Sequence, residues 1–198
     1  MIFLSEMFAA FVTAMMLENL LFARAIDIPG LYEKRSPQQI LLIGSILTAI
    51  IAVCSVPAYF INNLFTSHAA FVPYMTLSFL LLNCLVFLGF YFGIRRFAPA
   101  AFAQIGNALP FYGVNCATLG TLLIAARLST NIHFSSFFGY CLGSGVGFTC
   151  AMFVIWSMRQ SMSLSRTPKA FRGLPITLIY LGILSLSLFG LLGNQLPS

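Results

Sequence analysis

Charge is what this sequence has least of. Only 7% of its 198 residues are charged, and only four side chains are acidic. A soluble domain carries about 25% charged residues, so an ordinary water-facing surface is excluded. Chemical motifs are scarce too. Neither His68 nor His133 has a Cys, Asp or Glu at metal-ligand spacing. There is no HExxH, Walker loop, GxGxxG or serine elbow. A self-contained enzyme is not expected. The five cysteines (54, 84, 116, 141 and 150) all fall in apolar runs. An odd number of thiols in such runs argues against a disulfide framework. Most are expected to act as small buried hydrophobes.

What is present is hydrocarbon. Apolar residues make up 60% of the chain, and spanning a bilayer takes roughly 20 of them per helix. Six stretches qualify: about Ile2–Ala23, Gln39–Phe60, Pro73–Ile94, Ala100–Ala126, Phe134–Met158 and Leu174–Gly193. None alternates as a barrel strand would. The expectation is an all-α integral membrane protein of six helices forming one domain over residues 1–198. The first stretch lacks a basic leader and a clear cleavage site, so it reads as the first span, not as a signal peptide.

The basic residues are unevenly placed. Loops after spans 1, 3 and 5 hold nine of the ten: Arg24, Lys34, Arg35, Arg95, Arg96, Arg159, Arg166, Lys169 and Arg172. The loop after span 4 holds Arg127 alone. Basic loops stay in the cytoplasm. Loops 1, 3 and 5 are therefore expected inside and both termini outside. The net charge of +6 thus reports orientation and not nucleic-acid binding.

Polar residues inside the apolar runs are the candidate functional groups. "MMLENLLFAR" places Glu18 and Asn19 in span 1. A carboxylate there lines a pathway or faces a partner. Alternatively it lies near enough to the cytoplasmic end to reach water or Arg24. "GVNCATLG" places Asn115 and Cys116 in span 4, flanked by Pro110, Gly113 and Gly120. Proline removes a donor and disrupts the helix upstream, and glycine permits close backbone approach. One reading is a broken or re-entrant helix, tolerated only where protein or a cavity covers it. The other is a kinked packing helix with a hydrogen-bonded Asn and an inert Cys. In span 5, Gly143, Ser144, Gly145 and Gly147 of "YCLGSGVGF" form a smooth face suited to tight helix packing.

"MLENLLFARAI" (16–26) and "YGVNCATLGTLL" (112–123) each carry an Asn at a similar place in spans 1 and 4. Six spans divide into three plus three, and an odd number per half inverts the second half. The expectation is an inverted repeat, about 1–97 and 98–198, with spans 1 and 4 broken and meeting near the midplane.

With these pieces together, the chain resembles the RnfA/NqrE-type subunits of the Rnf and Na+-translocating NADH:quinone reductase complexes. The likeness is best over 109–193, in "LPFYGVNCATLG", "YCLGSGVGF" and "TPKAFRGLPITLIYLGILSLSLFG". In the first half, "LENLLFARAI" fits the family's Glu/Asn-Asn segment. The resemblance implies a multi-pass protein of a bacterial or archaeal cytoplasmic (inner) membrane. It implies a subunit that helps carry electrons between flavin-bearing partners, coupled to Na+ or H+, and is not catalytic alone. It implies an RnfE/NqrD-type sister subunit of opposite orientation. It further implies a [2Fe–2S] cluster shared between the two and held by four thiolates. By that carry-over Cys116 is a ligand, and Asn115 and Gly113 shape the backbone around it. Glu18 and Asn19 become candidates for the ion pathway.

The sequence departs from the family at one place. The first-half cysteine belongs near Pro29, and "ARAIDIPGLYE" holds no thiol. Asp27 is the candidate substitute, a harder oxygen donor less suited to this iron. The alternative is a diverged paralogue without a cluster, acting as a small secondary transporter or an assembly scaffold.

Overall fold

The computed structural model describes residues 2–19, 21–23, 36–67, 73–106, 109–110, 115–128, 133–163 and 173–192. Those residues are helical throughout, joined by turns. In chain order the elements are α1 (Ile2–Val12), a π-helical turn (Thr13–Leu17), α2 (Pro37–Thr66), α3 (Met75–Phe97), α4 (Pro99–Ile105), α5 (Cys116–Leu128), α6 (Phe134–Ser163) and α7 (Leu174–Leu192). Helices are the expected outcome for such apolar segments, because each backbone group finds its partner within its own segment.

Local signals set several helix ends. Ser36 and Gln39 form a reciprocal capping box at the start of α2, with Pro37 in its first turn. Pro57 lies inside α2, which nonetheless runs on to Thr66. Arg95 and Arg96 close α3, where their charge complements the negative end of the helix. Gly173, with φ of 93°, takes a left-handed conformation just before α7 that favours glycine.

Among the described residues, three helices are long and apolar enough to cross a membrane: Pro37–Thr66, Met75–Phe97 and Phe134–Ser161. Three apolar helices are shorter: Phe3–Met16, Cys116–Leu128 and Pro175–Gly190. The expected spans 2, 3 and 5 are therefore each one continuous helix. In the first expected stretch, the α-helix passes to a π-helix at Thr13, and Glu18 lies just beyond its end. Around the expected span 4, the described helices are α4 of seven residues and α5 of thirteen.

The core is built around α6. It lies against α1 on one side and α2 on the other. Glycines make both contacts possible. A Cβ on Gly139 would run into the carbonyl of Met7, and one on Gly143 into that of Phe11. At Gly147 it would lie 2.9 Å from the carbonyl oxygen of Met15. The partner number rises with the glycine number, so α1 and α6 run in the same direction. Opposite α2 the order reverses, with Gly145 against Thr48 and Gly44 against Thr149. Thus α2 and α6 are antiparallel. The smooth face expected from "YCLGSGVGF" is a close backbone contact on both sides.

Phe79, Phe137, Phe148, Leu47, Ile50, Ile51 and Leu122 are among the large side chains sealed in this core. The outer faces of α3 and α7 stay apolar and exposed, with Leu81, Leu85, Phe92, Ile183, Leu186 and Phe189 among them. In water such surface would mark a docking site or a defect. On a membrane-spanning helix it is the ordinary lipid-facing or subunit-facing side.

Candidate functional site

Two asparagines organise places where regular helix stops or starts. At the first, the N–H of Glu18 donates to Thr13 O at 3.0 Å, five residues back, which closes the π turn. Glu18 then adopts φ −107° and ψ 35°. Asn19, 5% exposed, bonds to backbone groups on both sides of this point. Its Oδ1 accepts from the N–H groups of Leu21 at 3.0 Å and Phe22 at 3.5 Å. Its Nδ2 donates to Gly147 O at 2.8 Å and Met15 O at 3.2 Å. The glycine at 147 has a second role here, since a Cβ would lie 3.1 Å from that same Nδ2.

At the second place, Asn115 stands before α5. Its Oδ1 accepts from Ala117 N at 3.1 Å and Thr118 N at 3.0 Å. These are the residues two and three positions on, the same spacing as at Asn19. The side-chain oxygen of an N-cap does this for the unpaired donors of a helix's first turn. The hydroxyl of Thr118 donates to Asn115 O at 3.0 Å. Thr118 Oγ1 in turn accepts from Nδ2 of Asn83 on α3 at 2.8 Å.

Glu18 is half-buried, and its Oε2 accepts from the Tyr140 hydroxyl on α6 at 2.8 Å. The sequence alone offered Arg24 or water as its partner; Arg24 lies outside the described residues. A second carboxylate of the first expected stretch, on α1, is held in the same way, with Ser135 of α6 donating to Glu6 Oε2 at 3.0 Å. The α1–α6 groove therefore carries both acidic side chains of the first span, each met by a hydroxyl of α6.

The cysteines separate by exposure. Cys54 and Cys141 are buried, Cys84 is intermediate, and Cys116 and Cys150 are exposed. Cys116 sits in the first position of α5, directly after Asn115. Among the described residues, no group of three or more His, Cys, Asp or Glu side chains is placed to hold a metal ion. Gly113 and Asp27 lie outside the described residues. Of the expected site residues, the structure anchors Glu18 and Asn19 on α6 and ties Asn115, beside Cys116, to α3. Sequence reading missed Tyr140, Asn83 and Thr118. Asn83 had a visible signal, an amide inside "FLLLNCLVF". Tyr140 had none, because a tyrosine in an apolar run reads as packing.

The described residues form an all-helical fold with three helices long and apolar enough to cross a membrane, in which Asn19 and Asn115 lie where regular helix stops or starts. The sequence matches the family described as Rnf-Nqr subunit, membrane protein, over residues 7–194, and the chain belongs to that family. It is similar to the A subunit of the ion-translocating oxidoreductase complex of Serratia proteamaculans, 27% identical over 191 residues. That alignment covers 96% of this chain and 98% of the relative. The corresponding proteins of Yersinia enterocolitica and Yersinia pseudotuberculosis are 26% and 25% identical over the same coverage.

Proposed function

We propose that this chain is a membrane subunit of an ion-translocating electron-transport complex. The observation that carries the reading is the family match along residues 7–194, with relatives of nearly the same length named as the A component of such a complex. The two asparagine caps support an inverted repeat in which broken spans 1 and 4 correspond. So does the antiparallel packing of α2 on α6, the second and fifth spans. The placement of nine basic residues in loops 1, 3 and 5 supports external termini. The sister subunit on this reading is of the RnfE/NqrD type, of opposite orientation, in a complex with flavin-bearing members. The exposed apolar faces leave room for it.

The chain's residues do three things in this role. Asn19 and Asn115 hold open the helix breaks without leaving bare backbone in hydrocarbon. Glu18 provides an acceptor in the α1–α6 groove, with Tyr140 fixing one of its oxygens, and serves with Asn19 as the ion-pathway candidate. Cys116 presents a thiol at the surface of the subunit. An ordinary [2Fe–2S] site with two thiolates from each subunit does not fit the donors here. Cys116 is the one thiol beside an asparagine cap, and the stretch near Pro29 has none. Any shared cluster would need the oxygen of Asp27 or further ligands from the sister.

The test is anaerobic purification of the tagged chain from its own membranes. Partners would be identified by mass spectrometry, with iron, acid-labile sulfide and electron paramagnetic resonance measured on the product. Flavoprotein and sister subunits are expected to co-purify. Iron at about two per heterodimer, the content of a [2Fe–2S] centre, makes Asp27 the next residue to replace. A chain that purifies alone and moves ions or solutes in liposomes without redox partners overturns the reading.

A further inference from the structure

We infer that Asn83 and Thr118 are positioning residues that register the Cys116 site against the first half of the molecule. A chain of hydrogen bonds with one consistent direction carries this. The thiol of Cys54 on α2 donates weakly to Asn83 Oδ1 at 3.9 Å. Asn83 Nδ2 donates to Thr118 Oγ1 at 2.8 Å. Thr118 Oγ1 donates its single proton to Asn115 O at 3.0 Å. Asn115 Oδ1 accepts from Ala117 N and Thr118 N. Cys54 and Asn83 are fully buried, and Thr118 is 1% exposed.

Each link fixes the next. The Thr118 hydroxyl has one proton, and it is committed to Asn115 O. Its oxygen is then an acceptor only, and the Asn83 amide supplies the donor. A hydroxyl held at both ends cannot rotate, so the Asn115 carbonyl and the cap above it are held with it. Cys116 is the residue between that cap and Ala117. Three helices thereby set the location of one exposed thiol. Simple packing would not require this. An apolar pair at 83 and 118 would fill the same space, and without partners an amide in this setting is costly to bury.

The inference takes from the proposed function only the use of Cys116. Its test does not depend on a cluster. The five cysteines of the full chain act as built-in reporters in native-membrane vesicles lacking the sister subunit. N-ethylmaleimide labelling is followed site by site with mass spectrometry. Exposed Cys150 is the reference, and buried Cys54 and Cys141 report whether the bundle stays closed. With Thr118→Val, the Cys116-to-Cys150 labelling ratio is expected to rise about threefold, the factor an average hydrogen bond between membrane helices is worth. Thr118→Ser is expected to keep the parent ratio. Asn83→Leu, which removes the donor to Thr118, is expected to behave as Thr118→Val does. An unchanged ratio in both variants, with Cys54 and Cys141 protected, overturns the inference. Loss of protection at Cys54 and Cys141 in both also overturns it, because the pair would then be general core residues. A changed ratio in a chain that binds no iron leaves the positioning role standing and removes the redox one.

Discussion

Replacing Gly143 by Ala should loosen the bundle at its closest helix contact. The added Cβ has nowhere to go, since it would run into the carbonyl oxygen and Cα of Phe11. Both are backbone atoms, so no rotamer change relieves the clash, and α1 must move away from α6. Overpacking of a tight core costs about 1–3 kcal/mol, and a backbone obstacle puts this site in the middle of that range or above. Alanine gives back part of the cost, up to about 1 kcal/mol, as the better helix former. A net loss of about 2 kcal/mol lowers the unfolding midpoint of a chain this size by roughly 4–8 °C. Gly93→Ala is the matched control, because its Cβ would meet nothing within 4 Å. It should leave the midpoint unchanged or raise it slightly. The assay is thermal unfolding of the purified chain in detergent, read by a thiol-reactive dye that reaches Cys54 and Cys141 only when the bundle opens. A Gly143→Ala midpoint equal to that of Gly93→Ala would refute the claim that backbone contact, and not lipid or partner packing, sets the α1–α6 spacing.

Asn19→Leu should destabilise the chain by about 1–3 kcal/mol in the same assay, since Leu21 N and Gly147 O lose the side-chain partner they have in an apolar setting. Asn115→Ala should cost about 1 kcal/mol, the usual value of a lost N-cap, and should speed labelling of Cys116 relative to Cys150. Tyr140→Phe removes the donor to Glu18. It is expected to slow ion-coupled turnover of the assembled complex, and Glu18→Gln to slow it more, with co-purification of partners unchanged; full turnover in both would take Glu18 off the ion pathway. Cys116→Ser should abolish any cluster signal in paramagnetic resonance, and an unchanged signal would remove Cys116 as a ligand.

Much of the molecule is legible in its residues alone. The all-helical membrane class follows from hydropathy, because hydrocarbon leaves an isolated segment few ways to satisfy its backbone. The glycines of "YCLGSGVGF" point to a close contact, and the structure supplies the partners: Phe11 and Met15 on one side, Thr48 on the other. Asn19 and Asn115 stand out as amides in apolar runs. Their shared capping pattern is a local matter, since an Asx cap depends only on the next few residues.

Features under local control can thus be read along the chain: apolar length, helix caps, glycine placement and the asymmetry of basic loops. Pairings across the chain became visible once the helices were packed. Glu18 accepts from Tyr140, 122 positions away, and Asn19 donates to Gly147, 128 positions away. Asn83 finds Thr118 across 35. Such partners are chosen by which helix faces meet, and that depends on packing summed over the bundle. The same holds for the thiols. All five cysteines sit in similar apolar runs, yet α6 and its neighbours bury Cys54 and Cys141 and leave Cys116 at the surface. A one-dimensional pattern carries no record of which side of a helix will be covered.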